Sequence, residues 1–409
     1  MRARLRLDGD GLAAGDFRFE LTTASRVIVL GAGKAGASMA RSLESILGDR
    51  IGEGFVVIKD AHRVPCERIE LAEAGHPVPD ARGLAASARL LALAESATAD
   101  DLVIVLISGG GSALTPAPAP PVTLEDKQAV TQLLLAAGAT IGELNTVRKH
   151  LSRFKGGLLA RAASPATVLM LALSDVIGDP LDVIASGPTV PDPTRYADAL
   201  GVLEGRGVAA RAPASVLARL QAGARGEIPE TPKPGDPIFE RVTNLVIGNN
   251  ALVADAARVA AEALGYRATL LTLALEGEAR HVARDLVLRA RDLPSGSCLI
   301  AAGETTVTVR GAGRGGRCQE LALAAALEIA PRDEMAVLAA GTAGTDGPTD
   351  AAGGLIDAGS VARGRAAGLD PSRALADNDA HAFLSASGDL VVTGPTNTNL
   401  LDLYLVLKA

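Results

Sequence analysis

Short apolar runs recur along the chain, and a stretch with helical spacing or small residues follows most of them. A continuous apolar run is typical of a strand buried on both faces, as in a parallel sheet. In the first half the clearest runs are residues 27–30, 101–107 and 166–173, and the alternation restarts near residue 245. The pattern predicts two α/β domains, whose ligands would bind at the carboxyl ends of the strands.

Weaker patterns complete the expected fold. Residues 1–25 show no clear period, and we expect a frayed arm or a short helix there. The segment 230–240 is rich in proline and charge, which favours a domain boundary. We therefore expect a Rossmann-like parallel sheet in residues 1–235 and a second α/β domain in residues 241–409. Further strands are predicted at residues 54–60, 69–74, 245–248, 267–273, 298–301, 306–309, 335–340, 389–393 and 403–407.

Composition narrows the class of protein. Of 409 residues, 48% are hydrophobic and 21% are charged, which is enough for a sizeable core. The net charge of -7 and the pI of about 5.4 argue against nucleic acid or an anionic membrane as partner. The N-terminus lacks the apolar region of a signal peptide, and no apolar stretch approaches the ~20 residues that span a bilayer.

Three cysteines, at positions 66, 298 and 318, are spaced for neither a disulfide framework nor a zinc site. The reducing cytoplasm is the simplest compartment for such a chain.

Three glycine-rich loops directly follow predicted strands: Gly31–Gly36, Ser108–Ser112 and Gly311–Arg317. Glycine lets backbone N–H groups approach an oxyanion because no Cβ stands in the way. The first loop also opens a helix, and we expect free N–H donors there. One such loop is as often a tight turn, but three favour a phosphate-rich ligand. In the first two loops the candidate phosphate-binding residues are Gly31, Gly33, Gly36, Ser108, Gly109, Gly110, Gly111 and Ser112.

Cations mark two of these loops. Lys34 lies within the first, in a chain that has only seven lysines against 40 lysines and arginines together. Retaining lysine there suggests that a compact ammonium is needed, although a solvated lysine at a helix start is the alternative. Arg314 and Arg317 in the third loop would clamp phosphoryl oxygens in a bidentate way, unless that loop is simply basic and mobile. Lys149 and Lys155 are further candidates in a compact polar motif.

Carboxylates after predicted strands complete the set. Such groups can hold magnesium together with phosphates, or take a proton from an attacking hydroxyl. Each taken alone is as often a turn or helix-capping residue. His76, His150 and His381 lack metal-ligand spacing and are expected to be structural. The candidate carboxylates are Asp175, Asp179, Glu304, Asp346 and Asp350.

Two other classes of function remain open at this stage. Gly31, Gly33 and Gly36 form a G-x-G-x-x-G after a strand, and Asp60 ends the next strand, as in dinucleotide-binding proteins. An NAD(P)H-dependent reductase is therefore the alternative, although it has no evident use for Lys34. A non-catalytic sensor of small ligands would leave the loop carboxylates unexplained.

The chain also resembles a known family, the bacterial-type glycerate 2-kinases with a MOFRL-type C-terminal region. The motifs occur in order along nearly the whole chain after residue 25. Some relatives in that family are labelled hydroxypyruvate reductase. The matching motifs are VLGAGKAG (29–36), GHPVPD (75–80), SGGGSAL (108–114), NTVRKHLSRFKGG (145–157), LSDVIGDPLDVIASGPTVPDPT (173–194), GETTVTVRGAGRGGRCQE (303–320), GTDGPTDAAGG (344–354) and TGPTNTN (393–399).

The resemblance implies a function and a site. It implies ATP-dependent phosphorylation of D-glycerate on its 2-hydroxyl with Mg²⁺, in a cleft between the domains, and a MOFRL-type region at about 297–405. It also implies that Lys34 and Arg317 are essential, while Cys318 stands where the family usually has asparagine. Our hypothesis adds Asp346 or Asp175 as the group that orients or deprotonates the hydroxyl. Metal contacts are expected from one or two of Asp175, Asp179, Asp346 and Asp350, and the protein is expected to be a monomer or homodimer.

Overall fold

A computed structural model describes residues 1, 4–21, 25–330 and 332–409. The chain divides into two compact units. The first unit comprises residues 1–173 and 179–247, and the second comprises residues 174–178 and 248–409. The expected domain division at residues 235–241 stays a prediction. No helix in the described ranges combines the length and apolar character that crossing a bilayer requires.

The first unit begins with a small antiparallel sheet, where a frayed arm or short helix was expected. Its strands are β1 (Arg6–Asp8), β2 (Gly11–Ala14) and β3 (Phe17–Glu20). Gly9 and Gly15 make the two turns with φ near +58°, a conformation that glycine adopts without cost. Leu12 and Phe17 point into the core of the unit. The expectation for this segment is wrong because strands this short carry too little alternation to reveal themselves.

The main sheet of the first unit has six strands in the order β6-β5-β4-β7-β8-β9. The pairs from β6 through β8 are parallel, and β4 and β7 are buried along their whole length. This confirms the predicted α/β class with a parallel N-terminal sheet. The strands are β4 (Val27–Ala32), β5 (Ile51–Lys59), β6 (Ile69–Ala74), β7 (Leu102–Ile107), β8 (Thr167–Leu173) and β9 (Val242–Gly248).

Eight α-helices of the first unit connect and cover these strands in the described residues. Leucine, alanine and valine on one side of α1 and α2 pack on the sheet, as expected for amphipathic helices. The helices are α1 (Gly36–Leu47), α2 (Ala81–Glu95), α3 (Gly111–Leu114), α4 (Leu124–Ala136), α5 (Ile141–His150), α6 (Leu158–Ala163), α7 (Tyr196–Gly205) and α8 (Ala214–Ala224).

The second unit contains a mixed sheet in the order β10-β11-β15-β12-β13-β14. In this sheet β10 pairs with β11 in parallel, and all the other pairs are antiparallel. The C-terminal strand β15 lies between β11 and β12 and is antiparallel to both. The predicted strand at 306–309 is wrong, since only Thr306 forms an isolated bridge there. The strands are β10 (Arg267–Leu275), β11 (Ser297–Gly303), β12 (Met335–Gly341), β13 (Gly353–Asp357), β14 (Leu390–Val391) and β15 (Asp402–Lys408).

Helices cover this second sheet, and α11 is almost entirely buried against it. A helix rich in alanine and leucine with few polar positions suits such a central place. The helices are α9 (Asn250–Ala263), α10 (Ala279–Arg291), α11 (Arg317–Glu328), α12 (Ser360–Ala366), α13 (Pro371–Ala376) and α14 (Ala380–Ser387).

Candidate active site

Two of the predicted glycine loops lie side by side in the first unit. Strands β4 and β7 pair in parallel with Ala32 opposite Ile107, so the loops that follow them leave the same edge of the sheet. The Ser108 side chain is buried, and its Oγ accepts a hydrogen bond from the Ala35 N–H at 3.0 Å. The Lys34 N–H donates to the Gly109 carbonyl at 2.8 Å. These bonds join the two loops into one structure at the carboxyl edge of the sheet.

The backbone of the first loop is not an open anion cradle. The expectation of free donors is wrong for residues 33–36, because all four N–H groups are engaged within the protein. Their acceptors are the Val57 carbonyl for Gly33, the Gly109 carbonyl for Lys34, Ser108 Oγ for Ala35 and the Gly33 carbonyl for Gly36. The N–H groups of residues 33–36 are thus not open to a phosphate, and the phosphate-binding roles of Gly31, Gly33 and Gly36 stay predictions.

The glycines of this loop are required by close packing. A Cβ on Gly33, whose φ is +147°, would lie 2.0 Å from Ser108 Oγ and 2.7 Å from the Ser108 carbonyl oxygen. A Cβ on Gly31 would lie 2.5 Å from the Leu106 carbonyl oxygen. Both glycines are thus in contacts well inside van der Waals distance for a Cβ, so a side chain would push the two loops apart.

We expect Gly33→Ala to destabilise the first unit by more than about 2 kcal/mol, because a buried backbone contact must move. Gly138→Ala is the matched control, since Gly138 has a φ of +69° and no atom lies within 4 Å of the point where its Cβ would stand. That control should cost only about 1 kcal/mol, the strain of a left-handed alanine. Urea unfolding of the two variants checks this, and equal losses would contradict the packing role.

The Lys34 side chain is available to a ligand. Residue 34 is partly exposed, and among the residues that the structure describes none pairs with its ammonium. Its Cγ lies 3.3 Å from where a Cβ on Gly110 would stand, and the His76 ring lies 3.0 Å from the same point. An unpaired ammonium at the carboxyl edge of a parallel sheet is well placed for an anionic ligand.

The surroundings of His76 lower the pKa of its side chain. Burial, and then the charge of Lys34, lower the pKa of its imidazole to about 4, so the ring is neutral beside Lys34 at pH 7. The unfolded chain takes up this proton near the ordinary pKa of about 6.5, and the folded chain does so only near 4.

Stability should therefore fall as pH drops from about 6.5 to about 4, because the unfolded state binds more protons in that window. We expect a loss of up to about 2 kcal/mol that is absent in His76→Gln. Urea unfolding across this pH range measures it, with His62→Gln as the control, which should keep most of the slope because the charge of His62 is the smallest of the effects that lower the His76 pKa. An unchanged slope in His76→Gln would contradict the assignment.

The residues that match the dinucleotide-binding pattern make other contacts in this structure. The Asp60 carboxylate would have to be free for a ribose hydroxyl, but Arg82 donates to both of its oxygens at 2.7 and 2.8 Å. The place where the backbone of Gly33 would approach a pyrophosphate is filled by Ser108. The geometry therefore favours a phosphate ligand on Lys34 over a bound NAD(P)H.

Two predicted lysines of the first unit are buried and structurally engaged. The Lys155 ammonium donates to the Ser112 and Thr115 carbonyls at 2.8 and 3.1 Å, which fixes the second glycine loop. The Lys149 ammonium lies 3.4 Å from Asp182 and 3.5 Å from Asp192. Their phosphate-binding roles stay predictions, and Lys155 is the one beside the second loop.

A cavity of about 380 Å³ opens beside the second loop. Residues that the sequence analysis did not single out contribute to it, notably Lys127 and Arg148. Both could have been proposed from the sequence, because Lys127 is one of only seven lysines and Arg148 lies in the NTVRKH motif. The residues that line it include His76, Gly110, Ser112, Lys127, Arg148 and Lys155.

In the second unit Arg317 is the first residue of α11 and is fixed by two carboxylates. Its Nε and Nη2 donate to Asp402 at 2.5 and 3.0 Å, and its Nη1 lies 2.8 Å from Glu304. Burial opposes the charge, but the hydrogen bond and charge of Asp402 prevail and raise the Arg317 pKa. Asp402 is 2% exposed and also accepts from the Tyr404 hydroxyl at 3.0 Å. Sequence reasoning missed Asp402 because it lies 85 residues from its partner.

Asp346 caps the helix that Arg317 begins. Its carboxylate accepts from the backbone N–H groups of Cys318 and Gln319 at 3.2 and 2.9 Å, and from Gln319 Nε2 at 3.1 Å. Burial raises the Asp346 pKa, against the effect of these hydrogen bonds. The donors at the N-terminus of α11 thus already meet a carboxylate. The catalytic and metal-binding roles of Asp346 stay predictions.

The third glycine loop is likewise occupied. The N–H groups of residues 311–314 are not open to an oxyanion, because each donates to the segment 377–379. The Arg314 side chain is exposed and contacts the Pro348 carbonyl at 3.4 Å. A phosphate contact from residues 311–314 would therefore have to come from the Arg314 side chain.

The remaining predicted carboxylates do not gather into a preformed metal site. Asn399 Nδ2 donates to Asp175 at 2.9 Å, and Asp350, whose side chain is 81% exposed, lies 3.3 Å from His381. Asp179 lies in a turn with φ of +55°, and the Glu304 side chain is 46% exposed. Within the described ranges no group of three or more His, Cys, Asp or Glu residues could hold a metal ion.

Two parts of the chain match two known families. Residues 1–221 match the family described as domain of unknown function DUF4147, and residues 297–402 match the MOFRL family. With full-length glycerate kinase relatives, these matches show that the chain belongs to the glycerate kinase family with a MOFRL region. The resemblance stated from the motifs is confirmed.

Particular relatives are similar over nearly their whole length. A D-glycerate 2-kinase of Thermotoga maritima is 43% identical over 390 residues, which is 93% of this chain and 90% of that protein. A protein of Agrobacterium vitis whose name carries the words hydroxypyruvate reductase is 44% identical over 93% of this chain and 87% of its own. The crystal structure of a glycerate kinase from Thermotoga maritima superposes with a TM-score of 0.87 at 42% identity, covering 95% of this chain and 92% of that one.

Proposed function

We propose that the protein transfers the γ-phosphoryl group of ATP to the 2-hydroxyl of D-glycerate, giving 2-phosphoglycerate and ADP. The observation that carries this is the unpaired Lys34 ammonium, held at the carboxyl edge of the parallel sheet by two interlocked glycine loops in the described part of the chain. The relatives named D-glycerate 2-kinase and glycerate kinase support D-glycerate as the substrate and its 2-hydroxyl as the position of attack.

Lys34 and Arg317 would act on the same developing charge. Phosphoryl transfer depends mainly on positioning and on cations that meet the charge of the moving group. Lys34 offers a compact ammonium on a rigid support. Arg317 offers a guanidinium whose orientation is set by Asp402, so its donors need no reorganisation during the reaction.

A carboxylate would take or orient the proton of the 2-hydroxyl. Asp346 has a raised pKa because of its burial, which suits a proton acceptor, but its oxygens already serve α11. Asp175 accepts one hydrogen bond from Asn399. We retain both as candidates for this step.

Magnesium fits these residues only as an ion brought by the nucleotide. The candidate ligands lie in two loops, Asp175 and Asp179 in one and Asp346 and Asp350 in the other, and they form no group that could hold a metal ion in the described part of the chain. Mg²⁺ commonly binds through one or two carboxylates with phosphates and water. The ion would neutralise phosphate charge, and one or two of these aspartates would hold it.

The reductase alternative has less support. Asp60 is engaged by Arg82, and the turn around Gly33 is filled by Ser108. The substrates we propose are small molecules. A reducing, cytoplasmic compartment agrees with three free cysteines, and a monomer or homodimer remains our expectation.

Phosphorus NMR of a mixture with Mg-ATP and D-glycerate tests the proposal, because it reports both the reaction and the position of the new ester. We expect stoichiometric ADP and 2-phosphoglycerate. A parallel sample with NADH and hydroxypyruvate should show no oxidation of NADH. Formation of 3-phosphoglycerate, or NADH oxidation without phosphoryl transfer, would contradict the proposal.

A further inference from the structure

The cavity beside the second glycine loop has an unbalanced charge. Three cationic side chains, Lys127, Arg148 and Lys155, contribute to its lining, and none of the described residues that line it is an aspartate or glutamate. Its volume of about 380 Å³ lies within the range of pockets that enclose a small-molecule ligand. A cavity lined in this way favours an anion.

Holding these charges together is costly in the absence of a ligand. Lys127 is 7% exposed and Lys155 is 1% exposed. Burial lowers the pKa of both ammonium groups, and neighbouring cations that include Arg148 lower it further. Their hydrogen bonds go to backbone carbonyls, of Pro116 for Lys127 and of Ser112 and Thr115 for Lys155. Buried like charges are relieved either when an ammonium gives up its proton or when an opposite charge joins them, and a bound anion would keep both lysines charged.

Arg148 differs from the two lysines in its hydrogen-bond donors. Burial lowers its pKa, and in the part of the chain that the structure describes no residue forms a hydrogen bond or ion pair with its guanidinium. A planar guanidinium with free donors matches the geometry of phosphate oxygens.

Part of the lining is apolar, and we call this part the apolar wall of the cavity. Val78 and Leu135 line it and remain 59% and 56% exposed, beside Pro77, Pro79 and Pro116. A three-carbon acid would use the cations and leave this wall bare. A nucleotide carries both a flat apolar base and a chain of phosphates, and so matches both walls.

We propose that this cavity binds the nucleoside triphosphate, with the phosphates on Arg148, Lys127 and Lys155 and the base on the wall of Val78 and Leu135. The proposal rests on the proposed kinase function and adds the place of its phosphoryl donor. Gly110 both lines the cavity and lies against the Lys34 side chain, so a nucleotide seated here directs its terminal phosphate toward Lys34.

Calorimetric titration of the full-length protein with Mg-ADP, without glycerate, tests the site. Arg148→Gln should weaken ADP binding by about tenfold or more, because a charge-assisted contact is lost. Leu135→Ser should weaken it a few fold, since only apolar contact is lost. Arg153→Gln is the matched control from the same motif, as its side chain is 52% exposed and lies 3.4 Å from Glu95, and it should leave ADP binding unchanged.

Inorganic tripolyphosphate has phosphates but no base, so it tests the cationic residues separately from the apolar wall. Arg148→Gln should weaken its binding, and Leu135→Ser should leave it unchanged. Glycerate binding should stay within about twofold in both variants, which also shows that they are folded. Arg148→Lys keeps the positive charge but lacks the paired N–H donors of a guanidinium, and it should show a smaller loss of binding. This variant provides a second test if the glutamine variant does not fold.

Two results would overturn the proposal. One is ADP binding unchanged in all variants of Arg148 and Leu135. The other is glycerate binding that is weakened more than ADP binding, which would place the acid in the cavity. Because ADP binding is measured without turnover, a wild-type protein that binds ADP but phosphorylates no glycerate would instead contradict only the proposed function.

Discussion

Replacing Lys34 by methionine is expected to lower kcat for glycerate phosphorylation by about 100- to 1,000-fold, with little change in stability. The ammonium has no partner among the described residues, so its removal breaks no interaction of the resting protein. The effect should appear when the phosphoryl group carries its greatest charge, and removing a preorganised charge-stabilising group typically costs this much. Steady-state ADP release at saturating substrates measures it.

Lys59→Met is the matched control for this variant. Lys59 ends the neighbouring strand β5 and is partly exposed, so it removes one positive charge from the same edge of the sheet. Turnover should stay within about twofold in the control. Near-normal turnover in Lys34→Met would show that Lys34 has no catalytic role. Equal losses in both variants would show that Lys34 contributes only to the overall positive potential at this edge of the sheet.

Replacing Arg317 by methionine is expected to have an effect of about 1,000-fold on kcat, the scale seen for arginines that stabilise phosphoryl transfer. This variant should also lose about 2 kcal/mol of stability, because the buried Asp402 keeps its charge and loses its cation. Circular dichroism during urea unfolding and the ADP-release assay give the two quantities.

Arg317→Met combined with Asp402→Asn separates these effects. Asparagine removes the uncompensated charge and retains a group that can accept from Tyr404. Stability should return to within about 1 kcal/mol of the wild type, while activity stays low. Recovery of activity together with stability would mean that Arg317 acts by supporting the fold.

The sequence predicted the parts of the fold that depend on continuous apolar runs. Strands β4, β7 and β8 were found because each is largely buried and reads as an unbroken run. The N-terminal sheet was missed because its strands are three or four residues long. The order of the second sheet depends on β15, whose pairing with β11 and β12 has no local signal.

The candidate site was predictable in its residue types and less so in its hydrogen bonds. Lys34 stood out from the sequence because lysine is rare in this chain. Whether the N–H groups around it are free depends on which loop lies beside them, and Ser108 is 73 residues away from Ala35. The same holds for the third loop, whose donors meet residues 377–379. Distant partners of this kind occupy N–H groups that the sequence alone leaves open.

We propose that Lys34 and Arg317 serve one chemical step, and a double-mutant cycle on the single-turnover rate tests this most directly. Residues that act as a unit give strongly non-additive losses. We predict that the variant lacking both side chains is at most about tenfold slower than the slower single variant. Losses that multiply in full, so that the two effects are independent, would contradict the account.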